Sequence, residues 1–209
     1  MQIEKIPVGM MEANCYLIED EGTKQAAVID PGADGPMILK RLYERGLTLT
    51  YILLTHTHYD HIGAAAQLKR ETGAKIAVSA EDAAGLSDRR WNLTAFTGGT
   101  VEPAQADILL HDGQVLQLGG QSIEVLLTPG HTRGGVCFLV GKELFSGDTL
   151  FDCNIGRCDL PGGDMQTLVQ SIQTKLMPLD DEIRVYPGHG PNTTIGRERA
   201  GNPYVRCEK

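Results

Sequence analysis

A chain of 209 residues with 41% hydrophobic side chains holds enough apolar material for one sizeable core, and 25 glycines make it rich in turns. Its formal charge of −8, with no local basic patch, argues against a nucleic-acid surface, and no apolar run approaches the ~20 residues that span a bilayer. The opening stretch MQIEKIPVGMMEANCYLIED lacks the basic, apolar and small-residue segments of a signal peptide. A cytoplasmic protein with no nucleic-acid or membrane partner is therefore expected, either a monomer or a small homo-oligomer.

In chain order, Cys15–Ile18 and Gln25–Ile29 read as paired strands bounded by turns at Asp20-Glu21-Gly22 and Asp30-Pro31-Gly32. Pro36 to Arg45 carries helical spacing at Met37, Ile38 and Leu42 and stops at Gly46. Tyr51–Leu54 is a short apolar run, as expected of a strand buried on both faces. A helix from Ile62 to Glu71 and a strand at Lys75–Val78 follow. Residues 87–104 lose all periodicity; they are either a surface loop that crosses near the site or a linker between two similar halves. Strands return at Val115–Leu118, Ile123–Leu127, Val136–Val140 and Leu144–Ser146. A helix from Met165 to Leu176 is capped by Asp164, and Arg184–Tyr186 and a turn of helix at Thr194–Arg199 end the pattern. Strand–helix alternation in both halves predicts two packed sheets with helices outside, an αββα sandwich, as a single domain over 1–209.

The chemistry-bearing residues lie at strand ends. His56, His58 and His61 fall with Asp60 in Thr55-His56-Thr57-His58-Tyr59-Asp60-His61, just after a buried strand, where α/β proteins bind ligands. Alternate residues of an extended segment share a side, so His56 and His58 can grip one ion, while Asp60 and His61 aim at a second point. Two imidazoles do not complete a tetrahedral shell. His131, Asp148 and His189, each directly after a strand and beside glycine or threonine, are candidates for the remainder. His111 has only the context of a surface turn. Five cysteines (Cys15, Cys137, Cys153, Cys158, Cys207), with no CxxC spacing, argue against disulfides and a zinc knuckle; Cys15 and Cys137 read as core residues, and Cys153 and Cys158 as flanking a loop rather than as nucleophiles.

The His56-to-His61 cluster, followed by His131, Asp148 and His189, resembles the metallo-β-lactamase superfamily. That resemblance implies a dinuclear site, with His56, His58 and His131 on one ion, Asp60, His61 and His189 on the other, and Asp148 bridging both. It also implies that Asp30, in Ile29-Asp30-Pro31-Gly32, supports the site from behind. Leu144 to Phe151, Gly156 to Asp164 and Pro187 to Gly196 are similar to the glyoxalase II (hydroxyacylglutathione hydrolase) branch, in its compact form. The expected activity is thioester hydrolysis, S-D-lactoylglutathione giving D-lactate and glutathione, with Asp60 orienting the nucleophile or carrying its proton. Zinc is the expected ion, and iron or manganese also suit the ligand set. A mononuclear-iron persulfide dioxygenase and another small-ester or lactone hydrolase are the alternatives.

Relatives with a helical C-terminal domain use it to help hold glutathione; here the expected chain lacks it, and Gly188-His189-Gly190-Pro191 replaces their Gly-His-Glu-Tyr segment. Arg133, where relatives usually have proline, is the possible substitute contact to substrate. Arg157 is expected to tie its loop under the site through Asp159 or Asp164, so that losing it costs stability and metal retention.

Overall fold

Alternate residues of single strands build two different cores. The protein is described over residues 1–205 by a computed structural model, and Cys207 lies outside the described residues. β1 (Gln2–Val8) pairs with β2 (Ala13–Asp20), which sends Cys15 and Leu17 into one apolar cluster and Tyr16 and Ile18 into another. This is the two-residue period of a strand buried on both faces. β3 (Gln25–Ile29) repeats it with Val28 against Ile29, and β4 (Thr48–Leu53) with Ile52 against Leu53. β5 (Lys75–Ser79) and β6 (Ile108–Leu110) complete a six-stranded sheet in the order β1-β2-β3-β4-β5-β6.

The second half builds the facing sheet from β7 (Val115–Leu118), β8 (Gln121–Leu127), β9 (Val136–Val140) and β10 (Glu143–Gly147). A small hairpin of β11 (Leu150–Phe151) and β12 (Asn154–Ile155) leaves it before β13 (Arg184–Pro187) and β14 (Thr193–Thr194) return, giving the order β14-β13-β10-β9-β8-β7. Phe138 and Phe145 of this sheet meet Tyr16 and Ile29 of the first in the shared inner core. Helices cover the outer faces. α1 (Gly35–Glu44) and α3 (Ala65–Thr72) pack Ile38 and Leu68 on the first sheet; α5 (Met165–Ser171) and α6 (Ile195–Gly201) pack Leu168 and Ile195 on the second. The αββα layering is the one expected, and no helix among the described residues is long and apolar enough to cross a membrane.

Two helices depart from the sequence reading, and β1, β6, β11, β12 and β14 fall where it places no strand. The helix expected from Ile62 is two, α2 (Tyr59–Ile62) and α3, because the chain is pinned between them: Ala64 N–H donates to the Pro31 carbonyl at 2.9 Å. Gly63 lies so close to Gly32 that a Cβ there would stand 2.2 Å from the Gly32 oxygen. The helix over Met165–Leu176 widens into a π turn from Ile172, although Asp164 does cap it, accepting Thr167 N–H at 2.7 Å. β1 was not anticipated; as an edge strand containing Pro7 it has only Ile6 and Val8 fully buried, too little for a period-two signal. Residues 87–104 form loop with one helical turn, α4 (Thr94–Thr97).

Candidate metal centre

β4 ends at Leu53, the chain bends at Thr55, and extended His58 caps α2, so Asp60 and His61 sit in the first turn of that helix. The turns after β8, β10 and β13 bring His131, Asp148 and His189 to the same end of the sandwich. One ring nitrogen each from His56, His58 and His131 lie within 4.8 Å of one another, as do atoms of Asp60, His61 and His189. Asp148 stands between the groups, Oδ2 3.6 Å from His131 Nε2 and Oδ1 3.6 Å from His61 Nε2.

The donor set fits divalent cations. His131 Nε2 faces His58 Nδ1 at 3.0 Å, and His61 Nε2 faces His189 Nε2 at 3.3 Å. His56 Nε2 and Asp148 Oδ1 are buried with no hydrogen-bond partner. Buried polar atoms without partners are costly, and inward-facing lone pairs from four strand ends leave a cation as the natural partner. Outward contacts fix the tautomers that make this so. His131 Nδ1–H donates to the Arg157 carbonyl at 2.7 Å, His61 Nδ1–H to Asp30 Oδ2 at 3.1 Å, and His56 Nδ1–H to Thr55 Oγ1 at 3.0 Å. In each case Nε2 is left free to bind.

Electrostatically the two groups differ. Burial, and then the neighbouring imidazoles, push His56 and His58 well below the usual histidine range. Burial alone would also lower His61, but the carboxylates of Asp148, Asp60 and Asp30 outweigh it and raise its pKa to about 10. Burial would raise Asp60, yet His61 and His189 hold its carboxyl well below the ordinary aspartate value, and the contact to Asp60 raises His189. The first group is a cluster of neutral imidazoles; the second carries its own compensating charge.

Behind the candidate ligands lie supports the sequence reading did not find, apart from Asp30. Asp30, at φ 50°, accepts Thr55 N–H at 2.7 Å and Thr55 Oγ1–H at 2.5 Å as well as His61. Buried Asp82 accepts Thr132 Oγ1–H at 2.6 Å and Gly134 N–H at 2.9 Å, which fixes the turn after His131. Asn14 Nδ2–H and Tyr16 O–H both donate to the Pro187 carbonyl, at 2.9 and 2.7 Å, so β2 of one sheet holds the His189 turn of the other. A polar Asn14 inside the apolar strand Ala13–Asp20 is the one signal that could have pointed to this.

A cavity of about 750 Å³ opens over the two groups, and Asp60, Asp148, His58, His131 and His189 reach it. Leu93, Phe96 and Thr97 from the irregular 87–104 segment form one wall, so that segment belongs to the site. Arg157 also lines it, but its guanidinium pairs with Asp159, at 2.8 Å for both Nε and Nη2, on the exposed rim; the backbone carbonyl is what supports His131. Arg133 is not among the lining residues; its guanidinium stacks 4.0 Å from the Trp91 ring centroid outside the cavity. His111 is an exposed turn residue. Cys15 and Cys137 are fully buried, with thiols pushed up by burial, Cys137 to about 11, so neither is an activated nucleophile.

An αββα sandwich whose strand ends bring two histidine–carboxylate groups together under an open cavity defines a metallohydrolase. The chain belongs to the metallo-β-lactamase superfamily, whose family model matches residues 8–189. It is 42% identical to "Hydroxyacylglutathione hydrolase GloC" of Haemophilus influenzae over 212 residues, covering all of both chains. Among solved structures it is similar to the BLEG-1 B3 metallo-β-lactamase, with TM-score 0.93 and 38% identity over 98% of this chain and 99% of the other. It is also similar to TTHA1623 in a di-iron-bound form, with TM-score 0.85 and 34% identity over 96% and 99% of the two chains.

Proposed function

We propose that this protein hydrolyses acyl thioesters, S-D-lactoylglutathione among them, to a carboxylic acid and a free thiol. His56, His58 and His131 would hold one divalent ion, Asp60, His61 and His189 a second, and Asp148 would serve both. The observation that carries this reading is Asp148, whose two oxygens each stand 3.6 Å from a histidine of a different group. Such ions, when bound, acidify water and polarise a carbonyl. Zinc is the proposed ion, with iron the alternative that the di-iron form of a similar protein supports.

The chain's own residues do the rest. Asp60, ionised and facing the cavity, accepts a hydrogen bond from the attacking water and passes its proton toward the departing sulfur. A thiol of pKa ~8.5 leaves without a strong general acid. The apolar lining limits the water that could compete for these groups. The 42% identity to a hydroxyacylglutathione hydrolase supports a thioester as the small-molecule partner. The likeness to a B3 metallo-β-lactamase favours one second reading, opening of a β-lactam ring by the same machinery.

The test joins elemental analysis of purified protein to kcat/KM for S-D-lactoylglutathione, small neutral thioesters and a chromogenic cephalosporin. Two ions per chain and turnover of thioesters well above the cephalosporin are expected. One ion per chain, with content unchanged in Asp148→Asn, would sink the dinuclear reading, and cephalosporin turnover alone would replace the substrate class.

A further inference from the structure

Apart from the candidate metal ligands, the cavity lining is mostly apolar, with Tyr59, Thr97, Asn154 and Arg157 as its polar members. Met11 from the β1–β2 turn, Leu93 and Phe96 from the 87–104 segment, Phe151 and Ile155 from the β11–β12 hairpin, and Leu160 form the apolar wall. Phe96 and Met11 stand 66% and 55% exposed in this mouth, large apolar side chains with nothing over them. Leu93 is held against the cavity at φ 70°, a left-handed conformation unfavourable for a leucine. Buried Asn92 braces it, donating to the Gly85 carbonyl at 2.9 Å and accepting Thr94 Oγ1–H at 2.7 Å. Among the described lining residues Arg157 is the one Lys or Arg, and Asp159 already occupies its guanidinium. The two carboxylates of a glutathione moiety meet a single, already paired cation there, and a volume of about 750 Å³ far exceeds what a lactoyl group fills.

Resting on the thioesterase reading above, we infer that this wall seats a medium-length aliphatic acyl chain. The carbonyl then lies at the metal groups and the thiol carrier projects through the open mouth into solvent. The preferred substrates are apolar acyl thioesters, and the carrier is read weakly. Each methylene that enters the wall adds binding that a lactoyl group, with its hydroxyl and short chain, cannot use.

The experiment compares acetyl, butanoyl, hexanoyl and octanoyl thioesters of N-acetylcysteamine on the metal-loaded enzyme. In parallel, calorimetry measures binding of the uncleavable S-(2-oxopropyl) and S-(2-oxoheptyl) thioethers of the same thiol. A rise in kcat/KM of about fourfold per methylene, on the order of 200-fold between acetyl and hexanoyl, is expected. The oxoheptyl ketone should bind tighter than the oxopropyl ketone by a similar factor, and Phe96→Ser and Leu93→Ser should each cut both ratios by about tenfold. Equal turnover of all four thioesters with equal binding of the two ketones would overturn the acyl pocket while leaving the thioesterase reading intact. Ketones that bind in order of length, with no thioester cleaved, would uphold the pocket and remove the thioesterase reading.

Discussion

The carboxylate of Asp30 accepts the Nδ1–H of His61 at 3.1 Å, and so turns the other nitrogen of that ring toward the second ligand group. Asp30 itself is held by two donors from Thr55, immediately before His56, so one side chain orients a histidine in each group. Asp30→Asn is expected to weaken metal affinity about 10- to 100-fold. Competition against a chelator of known affinity measures it, and an unaltered affinity in a folded variant would show that His61 needs no such partner.

Arg157→Ala separates side chain from backbone. The Arg157–Asp159 pair is exposed on both sides, 63% and 70%, whereas the Arg157 carbonyl holds His131. The sequence reading expected loss of stability and metal on removing this arginine; the geometry leads to a different result. Melting temperature should shift by less than about 2 °C, with metal content unchanged. A variant that loses metal would restore the guanidinium to a supporting role.

Gly32 and Gly63 let the turn after β3 lie against the break between α2 and α3. A Cβ on Gly32 would stand 1.5 Å from the Asp60 carbonyl oxygen, and the obstacle is backbone that carries a candidate ligand. Gly32→Ala is expected to cost about 3 kcal/mol in urea denaturation. A variant of ordinary stability would mean that the turn moves aside freely.

Asp20 joins the two sheets at the edge far from the chemistry. It accepts Thr23 Oγ1–H at 2.7 Å and Gln121 Nε2–H at 3.2 Å, and these contacts, the Thr23 hydroxyl first, lower its pKa to about 2. An unfolded aspartate titrates near ~3.9, so the folded carboxylate contributes stability above pH 4 and loses it as pH falls toward 2. Asp20→Asn should therefore lower the melting temperature at pH 7, and the difference from the parent should shrink between pH 4 and pH 2. A difference that stays constant over that interval would assign the effect to shape rather than charge.

Much of this molecule was legible in one dimension because the deciding interactions are local. Continuous apolar runs such as Gln25–Ile29 and Val136–Val140 fix strands with those boundaries, since a strand buried on both faces needs apolar residues throughout. The His56-to-His61 cluster points to cation chemistry because its candidate ligands share one strand end, and His131, Asp148 and His189 repeat that placement. Tertiary structure decided what depends on distant segments meeting. Asn14 reaches the Pro187 carbonyl across 173 residues, and Asp82 reaches Thr132 across 50; no spacing rule encodes a hydrogen bond that exists only once two sheets have packed. The same holds for the expected helix from Ile62, whose local pattern runs on unbroken while a backbone contact from Pro31 divides it. The cavity wall is the extreme case: Met11, Phe96 and Leu160 come from three unconnected loops, each of them irregular in sequence. The candidate ligands were written in local pattern, and the shape of the space above them was set by where those loops converge.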